Sequence, residues 1–179
     1  MSTSVDKRHP QIRLEHAFWR EHAALFRELV DSVVWDERMK ARKTASFGVS
    51  YDYSQIAYPE TEMHPSMQHV CTAIEKFLGF APNNCLLNYY LDGRSSMGFH
   101  SDTAEQLCTG TGVAIMSLGC ARPILYRSKK DRQHIVSYNL EPGSLLYMSN
   151  EVQEQWMHAI PKADGVGERI SATFRAVEK

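Results

Sequence analysis

The chain has 179 residues, of which 43% are hydrophobic and 23% are charged, and its formal net charge is -1. This balance is ordinary for a globular protein, and it excludes a polycation that coats nucleic acid through its overall charge. No apolar run approaches the roughly 20 residues needed to span a bilayer, and the first residues lack the apolar segment of a secretory signal. The sequence therefore predicts one domain over residues 1–179, cytoplasmic, monomeric and without a membrane partner.

The four cysteines lie far apart in the sequence, and no two of them form a C-x-x-C pair. This spacing argues against a structural zinc site and fits free thiols in a reducing cytosol. The positions are Cys71, Cys85, Cys108 and Cys120.

The N-terminal part, residues 1–81, predicts two helices with an extended region between them. Apolar residues recur at helical spacing in EHAALFRELVDSV and in SMQHVCTAIEKFLGF, where Gly79 is a plausible stop. The intervening segment RKTASFGVSYDYSQIAYPE is rich in aromatic residues and serine. We expect it to form short strands and loops.

The C-terminal part, residues 82–179, predicts a series of short strands separated by turn residues. The extended runs are CLLNYY, SSMGFH, GVAIMSLG, PILYRS, QHIVSYNL, SLLYMS, WMHAIP and RISATFRAV. Short strands with regular turns, and no helical pattern between them, predict a double-sheet jelly roll or a barrel. Asp92-Gly93 predicts a hairpin between the first two runs. We expect the helices to pack outside a β core built from the C-terminal half.

His100 and Asp102 are separated by one residue, so on a strand their side chains point the same way. A third metal ligand could come from His134, which lies in a charged stretch, or from His158, which lies in an apolar strand. His158 is the preferred candidate, because its strand would carry it into the core. Two histidines and one carboxylate form the ligand set of non-haem Fe(II) oxygenases, although zinc or no metal remains open on these residues alone.

The last predicted strand, RISATFR, alternates between a polar and an apolar face. The polar face carries Arg169, Ser171, Thr173 and Arg175. Two arginines are costly to bury unless an anion meets them, and the guanidinium group suits a carboxylate. A dicarboxylate co-substrate would supply that charge, and Asn88 and Tyr90, on one face of their own strand, could hydrogen-bond to it. The alternative is a solvent-facing strand with two incidental arginines.

Taken in order, the motifs N-x-Y, D-G, H-x-D, S-L-G, P-G-S-L-L, W-x-H-x-I-P and R-x-S-x-T-F-R resemble those of the AlkB family of Fe(II)/2-oxoglutarate dioxygenases. The resemblance spans about residues 42–176. It implies a mainly β fold with flanking helices, in which a double-stranded β-helix, or jelly roll, carries an N-terminal α/β extension that forms a nucleotide lid. It also implies that Fe(II) is bound by His100, Asp102 and His158.

The resemblance further implies that 2-oxoglutarate and O2 are used with the iron. The implied 2-oxoglutarate ligands are Asn88, Tyr90, Arg169, Ser171 and Arg175. Among them, Arg175 is the expected partner of the distal carboxylate. The family usually has asparagine where this chain has Ser171, whose side chain has a shorter reach.

The segment RKTASFGVSYDYS is similar to the lid that AlkB-type enzymes fold over a flipped nucleotide. Phe47, Tyr51 and Tyr53 are the candidate base-contacting aromatics, and the alternative is that they fill a second small core. Many relatives carry an acidic residue, which meets the methylated base, where this chain has Ala104. Glu105 is the candidate replacement, and otherwise the base preference differs.

Two basic clusters could meet nucleic-acid phosphates, or they could be solvated charged loops. Their members are Arg38, Lys40, Arg42 and Lys43, and then Arg127, Lys129, Lys130 and Arg132.

The resemblance implies oxidative demethylation of N-alkylated bases in DNA or RNA, as in alkylation repair, with release of formaldehyde, succinate and CO2. Because the target base must leave the stack, single-stranded or locally unpaired methylated nucleic acid is the expected partner. Two alternatives stay open. One is a 2-oxoglutarate-dependent hydroxylase of a small metabolite or a protein side chain, and the other is a non-catalytic jelly-roll binding module.

Overall fold

The computed structural model describes residues 8–53, 56–102 and 105–178, without the side chain of Tyr53. Within these ranges the chain forms three helices and twelve strands. The helices are α1 (His22–Ser32), α2 (Pro65–Leu78) and α3 (Asn150–Gln155). The strands are β1 (Ile12–Glu15), β2 (Lys43–Gly48), β3 (Tyr51–Tyr53), β4 (Ile56–Tyr58), β5 (Asn84–Tyr90), β6 (Met97–His100), β7 (Gly112–Gly119), β8 (Arg122–Ser128), β9 (Ile135–Leu140), β10 (Leu145–Ser149), β11 (Trp156–Ile160) and β12 (Arg169–Arg175).

The strands form two main antiparallel sheets that face each other. The larger sheet has the order β1-β10-β7-β12-β5-β2, and the smaller has the order β6-β11-β8-β9. The short strands β3 and β4 form a separate antiparallel pair. Consecutive strands along the chain therefore often lie in opposite sheets, which is the arrangement of the predicted jelly roll.

Strands β5 and β12 are neighbours inside the larger sheet, and every residue of both is buried. Because side chains alternate between the faces of a strand, each strand contributes to two different cores. One face, with Leu87 and Phe174, packs against the helices, and the other face, with Tyr90, packs against the smaller sheet. The polar residues that the sequence predicts to share one face of β5 and of β12 lie on this second face, toward the smaller sheet.

Helices α1 and α2 cover the outer face of the larger sheet. Leu29 of α1 and Met67, Val70 and Ile74 of α2 are fully buried there, each contributing about 1.5–3 kcal/mol of hydrophobic stabilisation. Helix α2 begins at Pro65 and is capped by the ring of His64. It ends at Leu78, and Gly79 follows in the left-handed conformation, as the sequence predicts. No helix in the described ranges is both long and apolar enough to cross a membrane.

The predicted hairpin across Asp92-Gly93 is wrong. Strands β5 and β6 lie in different sheets, so residues 91–96 cross from one sheet to the other. The turn itself forms, since the Asp92 carboxylate accepts from the backbone of Arg94 and Ser95. Glycine is needed at position 93 for another reason, because a Cβ there would lie 1.6 Å from the carbonyl oxygen of Ala163.

The expectation of a core built from the C-terminal half is also wrong. The N-terminal strands β1 and β2 form the two edges of the larger sheet, where β1 pairs with β10 and β2 pairs with β5. The N-terminal part therefore completes the sheet as well as supplying its two covering helices.

Candidate metal centre and co-substrate cavity

A cavity of about 370 Å³, including its open mouth, lies between the two sheets. Its polar lining combines the candidate metal ligands with the polar face of β12, and its apolar lining comes from both sheets. The residues are Leu86, Asn88, Met97, His100, Asp102, Ile115, Ile124, Leu140, His158, Ile160, Arg169, Ser171, Thr173 and Arg175.

His100 and His158 meet because β6 and β11 are antiparallel neighbours with these two residues directly opposite each other. Their ring centroids are 4.3 Å apart, and His158 is only 1% exposed. His134 does not join them, since its Nε2 lies 2.7 Å from the carbonyl oxygen of Arg8. The structure therefore brings together the two histidines that the sequence favours.

Asp102 follows the end of β6 and completes a cluster whose ligand atoms all lie within 4.8 Å of one another. Its Oδ1 atom is 3.7 Å from Nε2 of His100. The hydroxyl of the intervening Ser101 donates to the carbonyl oxygen of Trp156. That hydrogen bond ties the segment between His100 and Asp102 to β11.

The protonation states of the three side chains suit a metal ion. Nδ1 of His100 lies 2.9 Å from the carbonyl oxygen of Gly98, so its proton belongs there and Nε2 is left to ligate. Burial lowers the pKa of His158 to about 4, so this ring is neutral at neutral pH. Burial raises the pKa of the Asp102 carboxyl, but Arg175 and the two histidines together outweigh burial, and the pKa is lowered.

The cluster fits Fe(II) by its donor set, which is two imidazole nitrogens and one carboxylate. Nδ1 of His158 is also buried without a hydrogen-bond partner among the described residues. A bound cation would restore favourable contacts that this buried ring lacks. The fit rests on these donors and their burial, and it agrees with the expectation drawn from the sequence.

Arg175 lies at the metal end of the cavity. It is 1% exposed, and its Nη2 atom is 3.3 Å from Oδ1 of Asp102. On its other side the guanidinium carbon lies 4.4 Å from the centre of the Tyr51 ring, within the range of a cation–π contact. Arg175 therefore already contacts a candidate metal ligand, and its pairing with a distal carboxylate stays a prediction.

Arg169 lies at the opposite end of the same strand and is completely buried. Its Nη2 atom donates to the Ser117 hydroxyl at 2.9 Å, and its guanidinium carbon lies 5.1 Å from the centre of the Tyr90 ring. Nε and Nη1 have no hydrogen-bond partner in the described ranges, and no carboxylate there forms an ion pair with it. Burial lowers its pKa. A buried guanidinium with open donors is expected to meet an anion.

Asn88 and Ser171 lie between these two ends, opposite each other on β5 and β12. The side-chain oxygen of Asn88 accepts a hydrogen bond of 2.7 Å from Nε of Arg42. Arg42 is 7% exposed, so burial disfavours both predicted roles, a contact with nucleic-acid phosphates and a place in a solvated loop. It instead holds the Asn88 amide at the cavity wall. Tyr90 is fully buried beside the cavity, with its hydroxyl 3.9 Å from Sδ of Met97.

The candidate base-contacting residues occupy different places. Tyr51 is 2% exposed and reaches the metal end. Phe47 lies on the helix face of β2, opposite Cys85, and packs edge-on against His64. This position favours the alternative of a core aromatic for Phe47, because a β-strand turns alternate side chains to opposite faces, and its contact with a base stays a prediction. The side chain of Tyr53 lies outside the described part of the structure.

Glu105 is exposed and lines a separate cleft together with Ser50 and Asp52. The structure therefore does not bring it into the metal cavity. Ala104 lies outside the described residues. The contact of Glu105 with a methylated base stays a prediction.

Most of the other residues of the two basic clusters contact groups of the chain itself. Arg38 pairs with Asp36, and Lys43 pairs with Glu37 at 2.5 Å. Lys129 donates to the carbonyl oxygen of Gln153. Lys40, Lys130 and Arg132 are exposed, whereas Arg127 lies over the ring of Phe99 at 4.1 Å.

Two buried polar residues near the site escape sequence reasoning. Arg122 is fully buried and donates to the carbonyl oxygens of Asp92, Ser95 and Pro161. Its position on an alternating strand is a weak signal that it faces inward. Gln153, on the short helix α3, contacts Asp102, and no pattern in the sequence marks it.

Comparisons with known proteins agree with this site. The family model of the 2OG-Fe(II) oxygenase superfamily matches residues 4–175, and the chain belongs to this superfamily. Its cofactors are therefore Fe(II), 2-oxoglutarate and O2, as the resemblance implies.

The relatives confirm the resemblance to the AlkB family. The DNA oxidative demethylase ALKBH2 of Bos taurus is 29% identical over 76% of this chain, and the alpha-ketoglutarate-dependent dioxygenase alkB homolog 3 of Bos taurus is 30% identical over 88%. The chain covers 53% and 62% of their respective lengths. The solved structure of OsALKBH1 superposes with a TM-score of 0.68 over 93% of this chain and 98% of that one. At 18% identity that match supports the fold, and it confirms the predicted jelly roll.

Proposed function

We propose that this chain is an Fe(II)/2-oxoglutarate-dependent dioxygenase that removes N-linked methyl groups from bases in DNA or RNA, with release of formaldehyde, succinate and CO2. One observation carries the proposal. A single cavity is lined at one end by three candidate metal ligands and at the other by a buried arginine that has no counter-charge among the described residues. A non-catalytic binding module has no need of both.

In this proposal the metal is held by His100, Asp102 and His158. Nε2 is the ligating atom of His100, because Nδ1 is engaged with the Gly98 carbonyl. The two histidines are presented by paired strands, so their spacing is fixed by backbone hydrogen bonds. When bound, the iron supplies the O2-dependent oxidation that couples decarboxylation of 2-oxoglutarate to oxidation of the substrate methyl group.

Arg169 is the proposed partner of the distal carboxylate of 2-oxoglutarate. Its open Nε and Nη1 donors suit a carboxylate, and Ser117 and Tyr90 fix the guanidinium plane. Arg175 has a different role, since it holds and neutralises Asp102. In this proposal, Asn88 and Ser171, which line the cavity opposite each other, hydrogen-bond to the middle of the co-substrate.

The apolar wall of the cavity would keep water away from the reacting groups. Ile115, Ile124 and Ile160 line it from the two sheets. A dry site strengthens the ion pair between a carboxylate and Arg169. It also limits side reactions with water.

The nucleic-acid substrate is supported by the relatives and by the position of Tyr51. ALKBH2 is named a DNA oxidative demethylase. Tyr51 comes from the predicted lid segment and lies against Arg175 at the metal end of the cavity. A flipped base entering from this side would meet the β3–β4 pair, and single-stranded or unpaired methylated nucleic acid would be the easier substrate.

A second candidate is a 2-oxoglutarate-dependent hydroxylase of a small metabolite or a protein side chain. The observation that favours it is the local neutralisation of basic residues near the predicted lid, where Arg38 pairs with Asp36 and Lys43 with Glu37. Such pairs offer less attraction to phosphates than free cations do.

The test is intact-mass analysis of a single-stranded oligonucleotide that carries 1-methyladenine or 3-methylcytosine, incubated with protein, Fe(II), 2-oxoglutarate and ascorbate. Succinate is quantified in the same tubes, and H158A is the matched control. We expect the loss of one methylene mass and the formation of succinate, both absent with H158A. Succinate without a change in the oligonucleotide would reject this substrate in favour of the second candidate. Neither product, from protein shown to contain iron, would reject the dioxygenase.

A further inference from the structure

Gln153 places both ends of its side-chain amide against one metal ligand. Its Oε1 atom accepts a hydrogen bond of 3.1 Å from the backbone N–H of Asp102, and its Nε2 atom donates to Oδ2 of Asp102 at 3.4 Å. Gln153 is 3% exposed, so water does not compete for these bonds. A buried amide whose oxygen and nitrogen both hydrogen-bond to one partner fixes the orientation of that partner.

The two carboxylate oxygens of Asp102 have different surroundings. Oδ1 faces the cluster, 3.7 Å from Nε2 of His100 and 3.3 Å from Nη2 of Arg175. Oδ2 faces Gln153. We propose that Gln153 is a positioning residue that holds Oδ2 aside, so that Oδ1 is the oxygen presented to the metal. This inference rests on the proposed function, because it assigns a role toward the same metal.

Glutamine is the side chain that this geometry requires. The Asp102 backbone N–H needs an acceptor and its carboxylate needs a donor, and an amide offers one of each. A carboxylate at position 153 could only accept, and an aliphatic side chain could do neither. The neighbouring glutamine, Gln155, is exposed, so it offers a matched control on the same helix.

The backbone of Gln153 is itself anchored. Nζ of Lys129 donates to its carbonyl oxygen at 2.6 Å, and the backbone N–H of Lys129 donates to the carbonyl oxygen of Gln155 at 2.9 Å. Val152 and Trp156, on either side, are buried in the core between the sheets. The amide is therefore held in place by packing before any metal binds, and the cost of ordering it is already met by folding.

The test is a Mn²⁺ titration followed by electron paramagnetic resonance, because Mn²⁺ accepts the same nitrogen and oxygen donors and loses its aqueous signal on binding. Parent protein, Q153M, Q153N and the control Q155M are compared without co-substrate. Neither methionine nor asparagine changes the charge near the cation. Thermal unfolding of each metal-free protein is recorded beside the titration.

We expect Q153M to bind Mn²⁺ with a Kd about 10- to 100-fold above that of the parent, since losing a residue that orients a ligand has effects of this size. Q153N, whose amide is one methylene too short to reach both groups, should show a smaller loss in the same direction. Q155M should match the parent. If Q153M does not fold, Q153N decides.

A Kd within about threefold of the parent for both Gln153 variants, whatever their thermal stability, would overturn the positioning role and leave a structural one. A parent that fails to bind Mn²⁺ would overturn the metal site itself, and with it both proposals. A parent that binds Mn²⁺ but leaves the methylated oligonucleotide unchanged would fail only the proposed substrate. The three failures are thus distinguishable.

Discussion

Strand β12 carries a buried arginine at each end, and the two ends differ in how the charge is compensated. Arg175 has its counter-charge in the chain, the carboxylate of Asp102. Arg169 has hydroxyl and ring contacts but no carboxylate within the described ranges. The metal end is therefore electrostatically settled by folding alone, whereas in the proposed function the other end receives its counter-charge only when 2-oxoglutarate binds. Two identical side chains on one face would then serve stability in one case and binding in the other.

The largest effect is expected at the settled end. Replacing Arg175 by methionine leaves the Asp102 carboxylate buried without its partner, which should lower the free energy of unfolding by about 3–5 kcal/mol. Urea unfolding of the metal-free protein measures this change. The double variant R175M/D102L should recover much of the loss, because it removes both charges. If R175M kept its stability within about 1 kcal/mol of the parent, the pair would not be the stabilising element described here.

The same substitution at the other end should behave in the opposite way. R169M should raise the Kd for 2-oxoglutarate about 100-fold, which corresponds to about 2.7 kcal/mol. It should leave the free energy of unfolding of the metal-free protein unchanged or higher, because a buried charge without a counter-charge is removed. Calorimetric titration of Mn²⁺-loaded protein gives the first quantity and urea unfolding gives the second. If R169M bound 2-oxoglutarate as tightly as the parent, the distal carboxylate would have to be bound by Arg175 or by another group.

A third substitution tests how much the stability of the metal end depends on a residue of the predicted lid. Y51L removes the ring that lies over Arg175, and it should lower the free energy of unfolding by about 2 kcal/mol through lost cation–π contact and lost packing. Y51F keeps the ring and should retain most of the stability. Equal losses in Y51L and Y51F would show that the hydroxyl, and not the ring face, makes the contact that matters.

The smallest effect is expected on the helix face of the larger sheet. F47L should cost about 1 kcal/mol of stability, because Phe47 packs against the core on that side. Turnover of methylated oligonucleotide should stay the same, since Phe47 does not face the cavity. Impaired oligonucleotide turnover, with 2-oxoglutarate binding intact, would restore Phe47 to the substrate side and contradict its position here.

Local alternation predicts much of this fold and site. The period of two in RISATFR places Arg169 and Arg175 on one face, because side chains alternate along a strand. The H-x-D spacing correctly predicts that His100 and Asp102 lie together, although β6 ends at His100 and Asp102 follows it. Helical spacing and Gly79 give the second helix with its end. These elements can be predicted without any long-range information, and the structure confirms them.

The sequence does not predict which strands or side chains meet when they are far apart along the chain. A D-G turn signals a reversal of direction but not which sheet receives the next strand, so the hairpin between β5 and β6 was wrong. The short strand β1 has a mixed burial pattern and gains its place only by pairing with β10. The roles of Arg169 and Arg175 depend on which end of β12 lies beside Asp102, and Gln153 acts through a contact 51 positions away.

Tyr51 and Asp102 both touch Arg175, one through its ring and one through its carboxylate. The β3–β4 pair and the metal-ligand cluster therefore both contact the Arg175 guanidinium, and a change in one of these contacts affects the other. Binding equilibria coupled in this way are reciprocal. If metal binding draws Asp102 away from Arg175 and thereby changes the affinity for a base that displaces Tyr51, that base changes the affinity for the metal by the same factor. In the proposed function, the arginine would thus link occupancy of the substrate entrance to occupancy of the metal centre.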